Sequence, residues 1–232
     1  MKTVKRLTGI ADESRIVKNE TGWCARTYII DGGKIVLKFP RNKEEQRAFA
    51  YEVAALKLIG QHEFNVAVPK VNWVAENNEH IGFFGVIGNP VTADTLADLT
   101  DAEKTQIGAQ IGIFLKTLHG VYADYDDIYK MSIADEIKEA QQKYLEAKST
   151  LKKHFTSNEL KIIHGLFMFE MPKRITELGQ ELVFCHGDLT DNNILLNGAK
   201  VGIIDFGDAG LYDKSKELCR HYFTPYFINT AL

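Results

Sequence analysis

The sequence has few cysteines, nearly balanced charge and no long apolar run, and each shortage excludes a class of protein. Only Cys24, Cys185 and Cys219 are present, without a CxxC pair, which favours free thiols in a reducing compartment over a disulfide framework or zinc site. No apolar run approaches the roughly 18 residues of a membrane span. Lys and Arg number 28 against 31 Asp and Glu, so the basic surface of a nucleic-acid-binding protein is missing. We therefore expect a cytoplasmic protein without nucleic-acid or membrane partners.

The first half of the chain combines short strand-type runs with one helical pattern. β-branched and aromatic residues concentrate at 15–18, 26–31, 34–39, 71–75 and 81–87, which predicts strands. Asp31-Gly32-Gly33 predicts a hairpin turn, because glycine adopts positive φ without steric cost. Over 42–59 the apolar residues recur at helical spacing, so we predict a helix there.

From about residue 100 the pattern becomes mainly helical. Thr100 and Glu103 predict a capping box at the start of a helix that ends near Gly120. Two further amphipathic helical patterns cover 132–152 and 157–179, the second strained by a proline. Strand-type runs return at 182–185 and 194–205, with a hairpin turn at Asn197-Gly198. The sequence therefore predicts an α+β protein with two lobes: residues 1–88 form an antiparallel-sheet N-lobe, a hinge lies at about 84–92, and residues 89–232 form a mainly helical C-lobe.

Two aspartates, Asp188 and Asp205, occupy turns that follow apolar runs, in the segments HGDLTDNN and IDFGD. The hairpin at 197–198 should bring Asn193 and Asp205 together at its open end. Oxygen ligands of this kind suit Mg²⁺, and Asp188 can accept a proton from an attacking hydroxyl. HGD or DFG alone is an ordinary turn. Only their ordered combination indicates a phosphoryl-transfer site.

Lys38 and Glu52 are the candidate partners in the first half of the chain. By itself, Lys38 is also explained as a solvent-facing residue of an edge strand, and Glu52 as a surface residue of an amphipathic helix. Together with the C-terminal segments they match another arrangement, in which a helix glutamate orients a strand lysine that binds nucleotide phosphates.

These segments resemble the aminoglycoside phosphotransferase and choline kinase superfamily, which has a two-lobed protein-kinase-like fold. The resemblance rests on Lys38, Glu52, HGDLTDNN and IDFGD, and it extends over about residues 15–215. GWCARTYIIDGGKIVLKFP and GNPVT are similar, in particular, to the aminoglycoside phosphotransferases that modify a 2″-hydroxyl.

The resemblance implies a role for each candidate residue. In the catalytic loop, residues 186–208, Asp188 would be the catalytic base and His186 a structural residue. Asn193 and Asp205 would be the Mg²⁺ ligands. Lys38 and Glu52 would belong to the nucleotide site. The backbone of Phe84 and Val86 would contact the purine, and Phe83 would lie near the gatekeeper position. The co-substrate would be ATP or GTP.

Residues 120–180 separate Leu118-His119 from the catalytic loop. The resemblance implies that an insertion of this size forms a wall of the substrate site, which argues against a peptide substrate. Its first part is rich in carboxylates, namely Asp124, Asp126, Asp127, Asp135, Glu136 and Glu139. This patch would attract a cationic acceptor. Solvated helix ends, where acidic residues are favourable, explain much of it equally well.

Two features depart from the family pattern. The loop that should cover the phosphates, 19–25, contains one glycine rather than a glycine-rich motif. The chain also stops soon after Asp205, at TPYFINTAL, where the family usually continues through several helices. We expect a compact variant, a shortened chain or one that needs a partner surface, and an apolar face at 222–228 would suit association such as homo-oligomerisation.

The function expected from these observations is a small-molecule kinase that phosphorylates a hydroxyl group of an aminoglycoside-like cationic substrate, as in antibiotic resistance. The alternatives are a kinase for another metabolite, such as choline, a thiosugar or a macrolide, and a nucleotide-binding scaffold without turnover.

Overall fold

The strand-type runs of the first half form one antiparallel sheet in the computed structural model, which describes residues 1–20, 22, 24–123, 126, 128–178, 181–214 and 217. The strands are β1 (Ile16–Asn19), β2 (Ala25–Ile30), β3 (Ile35–Pro40), β4 (Lys70–Val74) and β5 (Ile81–Phe84). Their order is β1-β2-β3-β5-β4, and every neighbouring pair is antiparallel. All five predicted strands are confirmed. The last is shorter than predicted, because the amide of Gly85 donates to Lys34 O and the chain then leaves the sheet.

The turn between β2 and β3 has the predicted backbone. Asp31, Gly32 and Gly33 all have positive φ, at 52°, 65° and 98°. This turn places β3 antiparallel to β2, with Lys38 opposite Thr27.

Two helices belong to the first half, α1 (Lys2–Thr8) and α2 (Lys43–Ile59). The predicted helix α2 is confirmed, and Asn42 caps it by accepting hydrogen bonds from the amides of Glu44 and Glu45. Helix α1 was not predicted. It is short and has only a few apolar residues, of which Val4 is buried against residues of the sheet.

Helices dominate the second half: α3 (Ala93–Ala97), α4 (Asp101–His119), α5 (Ile133–Leu151), α6 (Ser157–Gly165) and α7 (Met171–Leu178). The predicted capping box of Thr100 and Glu103 is present in α4. The helical pattern predicted over 157–179, with its strain at a proline, is present as α6 and α7, and a π-helical segment, Leu166–Glu170, lies between them. Pro172 follows directly, and a proline disturbs the preceding turn because it has no amide hydrogen and its ring is bulky.

Six short strands accompany the helices and flank the turns of Asp188 and Asp205 in the described part of the second half: β6 (Asn89–Pro90), β7 (Tyr129–Lys130), β8 (Leu182–Cys185), β9 (Ile194–Asn197), β10 (Lys200–Ile203) and β11 (Gly210–Asp213). They form two three-stranded sheets, β10-β9-β6 and β7-β11-β8. The predicted hairpin turn between β9 and β10 is confirmed, with Gly198 at φ 60°. The run predicted to extend to 205 ends as a strand at Ile203.

One apolar core joins the two halves. It contains residues of α2 and β5 together with residues of α4, β8, β9 and β10, and Phe206 is fully buried in it. This core fixes the turn after β10 against α2. The predicted α+β architecture is confirmed. None of the helices in the described ranges is long and apolar enough to cross a membrane.

Candidate active site

Lys38 is the centre of the candidate site. Its side chain is 14% exposed, and Nζ donates to Glu52 Oε1 at 2.6 Å and to Asp205 Oδ1 at 2.8 Å. The same nitrogen lies 5.7 Å from the ring centroid of Phe83, within the range of a cation–π contact. The structure thus brings together a strand lysine, a helix glutamate and the aspartate of IDFGD, which are far apart in sequence. Lys38 does not face solvent, and Glu52 is buried, so the surface interpretation of each is wrong.

Burial and ion pairing act in opposite directions on these three groups. Burial alone would lower the pKa of Lys38, but Asp205 and Glu52 outweigh it and raise the pKa above its ordinary value. Lys38 lowers the pKa of Asp205, although partial burial opposes this change. Glu52 is the most buried of the three, and its burial raises its pKa. We conclude that Lys38 is charged and Asp205 is ionised at neutral pH.

The backbone of Asp205 has an unusual conformation. Its φ is 66° and its ψ is 70°, which is the left-handed region that non-glycine residues rarely adopt. Such a conformation costs on the order of 1–3 kcal/mol and persists only where the surroundings impose it. Here the neighbouring Phe206 is fully buried and its ring lies 4.5 Å from the ring of His186. Strain at this position is typical of a residue placed for function rather than for stability.

His186 links the two turns. Its Nε2 lies 2.9 Å from Ile204 O and must donate, because a carbonyl oxygen can only accept. Its Nδ1 accepts from the amide of Asp188 at 3.3 Å. The fully buried imidazole therefore joins the residue before Asp205 to the backbone of Asp188.

Gly187 occupies a position that no other residue type fits. Its φ is 82°, and a Cβ atom at this position would lie 2.1 Å from Asp208 O. The HGD segment can therefore pack directly against the backbone that follows Asp205. This explains why glycine separates the histidine from the aspartate.

Asn193 connects Asp188 to the base of the β9–β10 hairpin. Its Nδ2 donates to Asp188 O at 2.8 Å and to Asp188 Oδ2 at 3.3 Å. Its backbone carbonyl accepts from the amide of Ile204 at 3.0 Å, so Asp205 is the next residue beyond this contact. The hairpin brings Asn193 and Asp205 to the same open end, as its sequence predicted.

The donor set fits Mg²⁺. Because the amide nitrogen of Asn193 faces Asp188, its side-chain oxygen is the atom left for a cation, alongside the carboxylate of Asp205. Within the described ranges, no three His, Cys, Asp or Glu side chains lie close enough together to hold a metal ion by themselves. Mg²⁺ in proteins commonly takes one or two protein ligands and completes its shell with water and substrate phosphates. Asn193 and Asp205 would hold it in this way.

Sequence reasoning missed Glu217. It is 2% exposed, and its Oε1 accepts from the amide of Gly187 at 2.7 Å. A carboxylate is stable in such a place only with hydrogen-bond partners. Its spacing from the HGD segment follows no pattern that the sequence could reveal, since the contact depends on the tertiary fold.

The segment that connects the two halves, at the predicted hinge of about 84–92, packs against the first sheet and against the β9–β10 hairpin. Phe84 is 52% exposed at the end of β5, whereas Val86 is buried. A Cβ at Gly202 of β10 would lie 2.2 Å from Val86 Cγ1, so this glycine lets the connector approach the hairpin. Phe84 is therefore the last residue of the sheet on this side, and Val86 lies against β10, the strand that leads to Asp205.

The structure explains the position of some of the acidic residues in the first part of the insertion. Asp135 serves in the capping box of α5 with Ser132, and Glu139 pairs with Lys143. For Asp135 the helix-end explanation is sufficient. Asp124 and Asp127 lie outside the described residues, as does the apolar segment predicted at 222–228.

The comparisons with known proteins agree with this geometry. A model of the phosphotransferase enzyme family matches residues 15–228, and the chain belongs to that family. The prediction that the protein is a phosphotransferase is thereby confirmed.

Solved structures of phosphotransferases have the same fold. The streptomycin–ATP complex of APH(2″)-IIa has a TM-score of 0.75 at 16% identity, over 93% of this chain and 72% of that one. The GDP complex of aminoglycoside 2′-phosphotransferase-IIIa has a TM-score of 0.73 at 18% identity, over 99% and 80%. Macrolide 2′-phosphotransferase MphH from Brachybacterium faecium has a TM-score of 0.63 at 18% identity, over 98% and 78%. The two-lobed fold implied by the sequence resemblance is confirmed.

Proposed function

We propose that this member of the phosphotransferase enzyme family is a small-molecule kinase, which transfers the γ-phosphate of ATP or GTP to a hydroxyl of a cationic, aminoglycoside-like acceptor. The observation that carries the proposal is the Lys38 ion-pair cluster, in which one buried ammonium group contacts both Glu52 and Asp205. A lysine fixed in this way presents a point charge to phosphates. Solved relatives of the same fold bind ATP and GDP, which supports a nucleotide co-substrate.

In the proposed reaction, Asp188 orients the acceptor hydroxyl and accepts its proton. The hydroxyl oxygen forms a bond to the γ-phosphorus while the bond from that phosphorus to the β–γ bridging oxygen breaks, which releases ADP or GDP. Asn193 holds the carboxylate of Asp188 by its amide, and His186 holds its backbone. Mg²⁺ bound by Asn193 and Asp205 would neutralise phosphate charge. No covalent enzyme intermediate is needed.

The nucleotide would lie between the lobes. We assign the N-lobe to residues 1–88 and the C-lobe to 89–232, with the hinge at about 84–92. The backbone of Phe84 and Val86 would contact the purine, since Phe84 ends β5 and Val86 follows it beside the β9–β10 hairpin. The catalytic loop is 186–208, and the insertion at 120–180 forms the acceptor wall. A nucleotide co-substrate and a chain with three cysteines and no CxxC pair suit a cytoplasmic reaction.

The acceptor could also be a macrolide, because a macrolide phosphotransferase has the same fold. A turnover screen separates the acceptors. The protein is incubated with Mg²⁺ and ATP or GTP together with aminoglycosides, a macrolide, choline and simple sugars, and each acceptor is examined by mass spectrometry for one added phosphate group.

Phosphorylation of an aminoglycoside would support the proposal, and phosphorylation of another compound would assign the alternative acceptor. Binding of the nucleotide without transfer to any acceptor would contradict the kinase function and support a non-catalytic scaffold. An aminoglycoside phosphotransferase assayed in parallel controls for the acceptors.

A further inference from the structure

Arg41 makes three hydrogen bonds to Glu20, Gly22 and Cys24 of the loop 19–25, which is expected to cover the phosphates, one from its backbone amide and two from its side chain. Arg41 follows β3, and its backbone amide donates to Cys24 O at 3.0 Å. Its Nε donates to Gly22 O at 2.9 Å, and its terminal nitrogen donates to Glu20 O. Three carbonyls at alternating positions of one loop therefore accept hydrogen bonds from a single residue.

These hydrogen bonds compensate for the lack of glycines in the loop. A glycine-rich loop can fold closely over phosphates because its backbone adopts conformations that other residues avoid. Gly22 is the one glycine of this segment. Guanidinium has five donors in a rigid planar fork, so it can fix several carbonyls at once. Arg41 thus supplies from a side chain the order that the loop's own sequence does not provide.

The loop lies at the end of the sheet where the Lys38 cluster is found. Ala25 at the end of the loop pairs with Pro40, and Thr27 pairs with Lys38, two positions away on each strand. Asp208 and Asp205 also act on the Cys24 thiol: its pKa is raised to about 11 by burial first, then by Glu45 and by these two aspartates. The loop and the turn that carries Asp205 therefore lie at the same end of the sheet, beside Lys38.

We propose that Arg41 is a positioning residue that clamps loop 19–25 over the triphosphate of the nucleotide. The inference rests on the proposed function, since it requires a nucleotide bound beside Lys38. The clamp acts on the phosphates through the loop and leaves the nucleoside end of the ligand, at the connector, unaffected.

The test compares two exposed arginines of the same lobe. Arg41→Ala removes the two side-chain hydrogen bonds to Gly22 O and Glu20 O and leaves the backbone hydrogen bond to Cys24 O. Arg15→Ala is the matched control, because Arg15 also makes two side-chain hydrogen bonds, to Asp31 at the opposite end of the β2–β3 hairpin. Affinities for Mg²⁺ with ATP or GTP, and for adenosine and guanosine, are measured by calorimetry without an acceptor. Thermal unfolding of each variant shows that it is folded.

We expect Arg41→Ala to weaken triphosphate binding about tenfold, as lost hydrogen bonds to a charged group would do, with nucleoside affinity unchanged. Arg15→Ala should bind both ligands as the unaltered protein does. Equal losses for triphosphate and nucleoside, or no loss in Arg41→Ala, would overturn the clamp. If the unaltered protein binds neither ligand, the proposed function itself fails, which is a distinct result.

Salt distinguishes a clamp from a direct phosphate contact. A guanidinium that contacted phosphates would make an ionic contribution that high salt screens. Because the clamp acts on neutral carbonyls, the ratio of the affinities of the unaltered protein and Arg41→Ala should be the same at low and high salt. A ratio that disappears at high salt would contradict the clamp and assign Arg41 to direct phosphate binding.

Discussion

The two segments that flank Lys38, the catalytic loop 186–208 and the phosphate loop 19–25, are held in place by different means. In the catalytic loop, buried groups fix the backbone: His186 contacts Ile204, and Glu217 contacts Gly187. In the phosphate loop, the exposed side chain of Arg41 contacts backbone carbonyls. A hydrogen bond in a buried site is costly to break because its partners cannot bind water in its place, whereas an exposed group can.

The difference separates two tasks of the site. The carboxylates that orient a hydroxyl and hold a cation must not move during the reaction, and the buried contacts keep them fixed. The phosphate loop must admit a nucleotide and release the product, and contacts that water can replace allow this. Substitutions of groups that react or are buried should therefore have the largest effects on turnover and stability, and substitutions of exposed groups should have smaller effects.

Asp188→Asn should have the largest effect. Asparagine has the same shape and can still accept a hydrogen bond from Asn193, but it cannot accept the proton of the acceptor. Loss of a positioned base typically lowers the rate by about 10²–10⁴-fold. We expect that loss in the rate of phosphate transfer, with nucleotide affinity unchanged. Turnover close to that of the unaltered protein would show that Asp188 is not the base.

Lys38→Met should destabilise the fold. It leaves the buried carboxylate of Glu52 without its cation, and removal of one partner of a buried pair typically costs about 3–5 kcal/mol. The double variant Lys38→Met/Glu52→Gln should recover a large part of this loss, because a neutral amide replaces the buried charge. Free energies of unfolding in denaturant measure both effects. Lys57→Met, at an exposed lysine of α2, is the control. Equal stability of the variants at 38 and 57 would contradict a buried ion pair.

Among the stability effects, that of Asp205→Asn should be the smallest, and it should depend on pH. Lys38 lowers the pKa of Asp205 below its ordinary value of 3.8. The unfolded chain therefore binds the proton more readily, so the ion pair contributes stability above about pH 3.8 that is lost as the pH falls through the lower, folded pKa. The stability difference between the unaltered protein and the variant should be modest, because the Asp205 side chain is half exposed, and it should vanish in acid. A difference that persists unchanged to low pH would show that the ion pair contributes nothing.

The local part of this architecture could be predicted from the sequence. The strands, the β9–β10 hairpin and the approach of Asn193 to Asp205 follow from residue patterns and turn chemistry within short segments. The pairing of Lys38 with Glu52 required the family resemblance as well, because neither residue alone differs from a surface residue.

The remaining features depend on contacts between segments far apart in sequence. Glu217 contacts Gly187 only because the fold returns the chain to the HGD turn. Arg41 reaches carbonyls of the preceding hairpin, a geometry that no spacing encodes. The π-helical segment before Pro172 was missed because a proline in a helical pattern indicates strain without specifying how the backbone accommodates it.

The most direct test of the central claim measures whether Mg²⁺ and nucleotide bind together at the site of Lys38, Asn193 and Asp205. The affinity of ATP and of GTP is determined by calorimetry with Mg²⁺ and with a chelator, for the unaltered protein and for Asp205→Asn. We predict that Mg²⁺ strengthens nucleotide binding to the unaltered protein and that this gain is lost in the variant. The same affinity with and without Mg²⁺ in the unaltered protein, or a full Mg²⁺ gain in Asp205→Asn, would contradict the account.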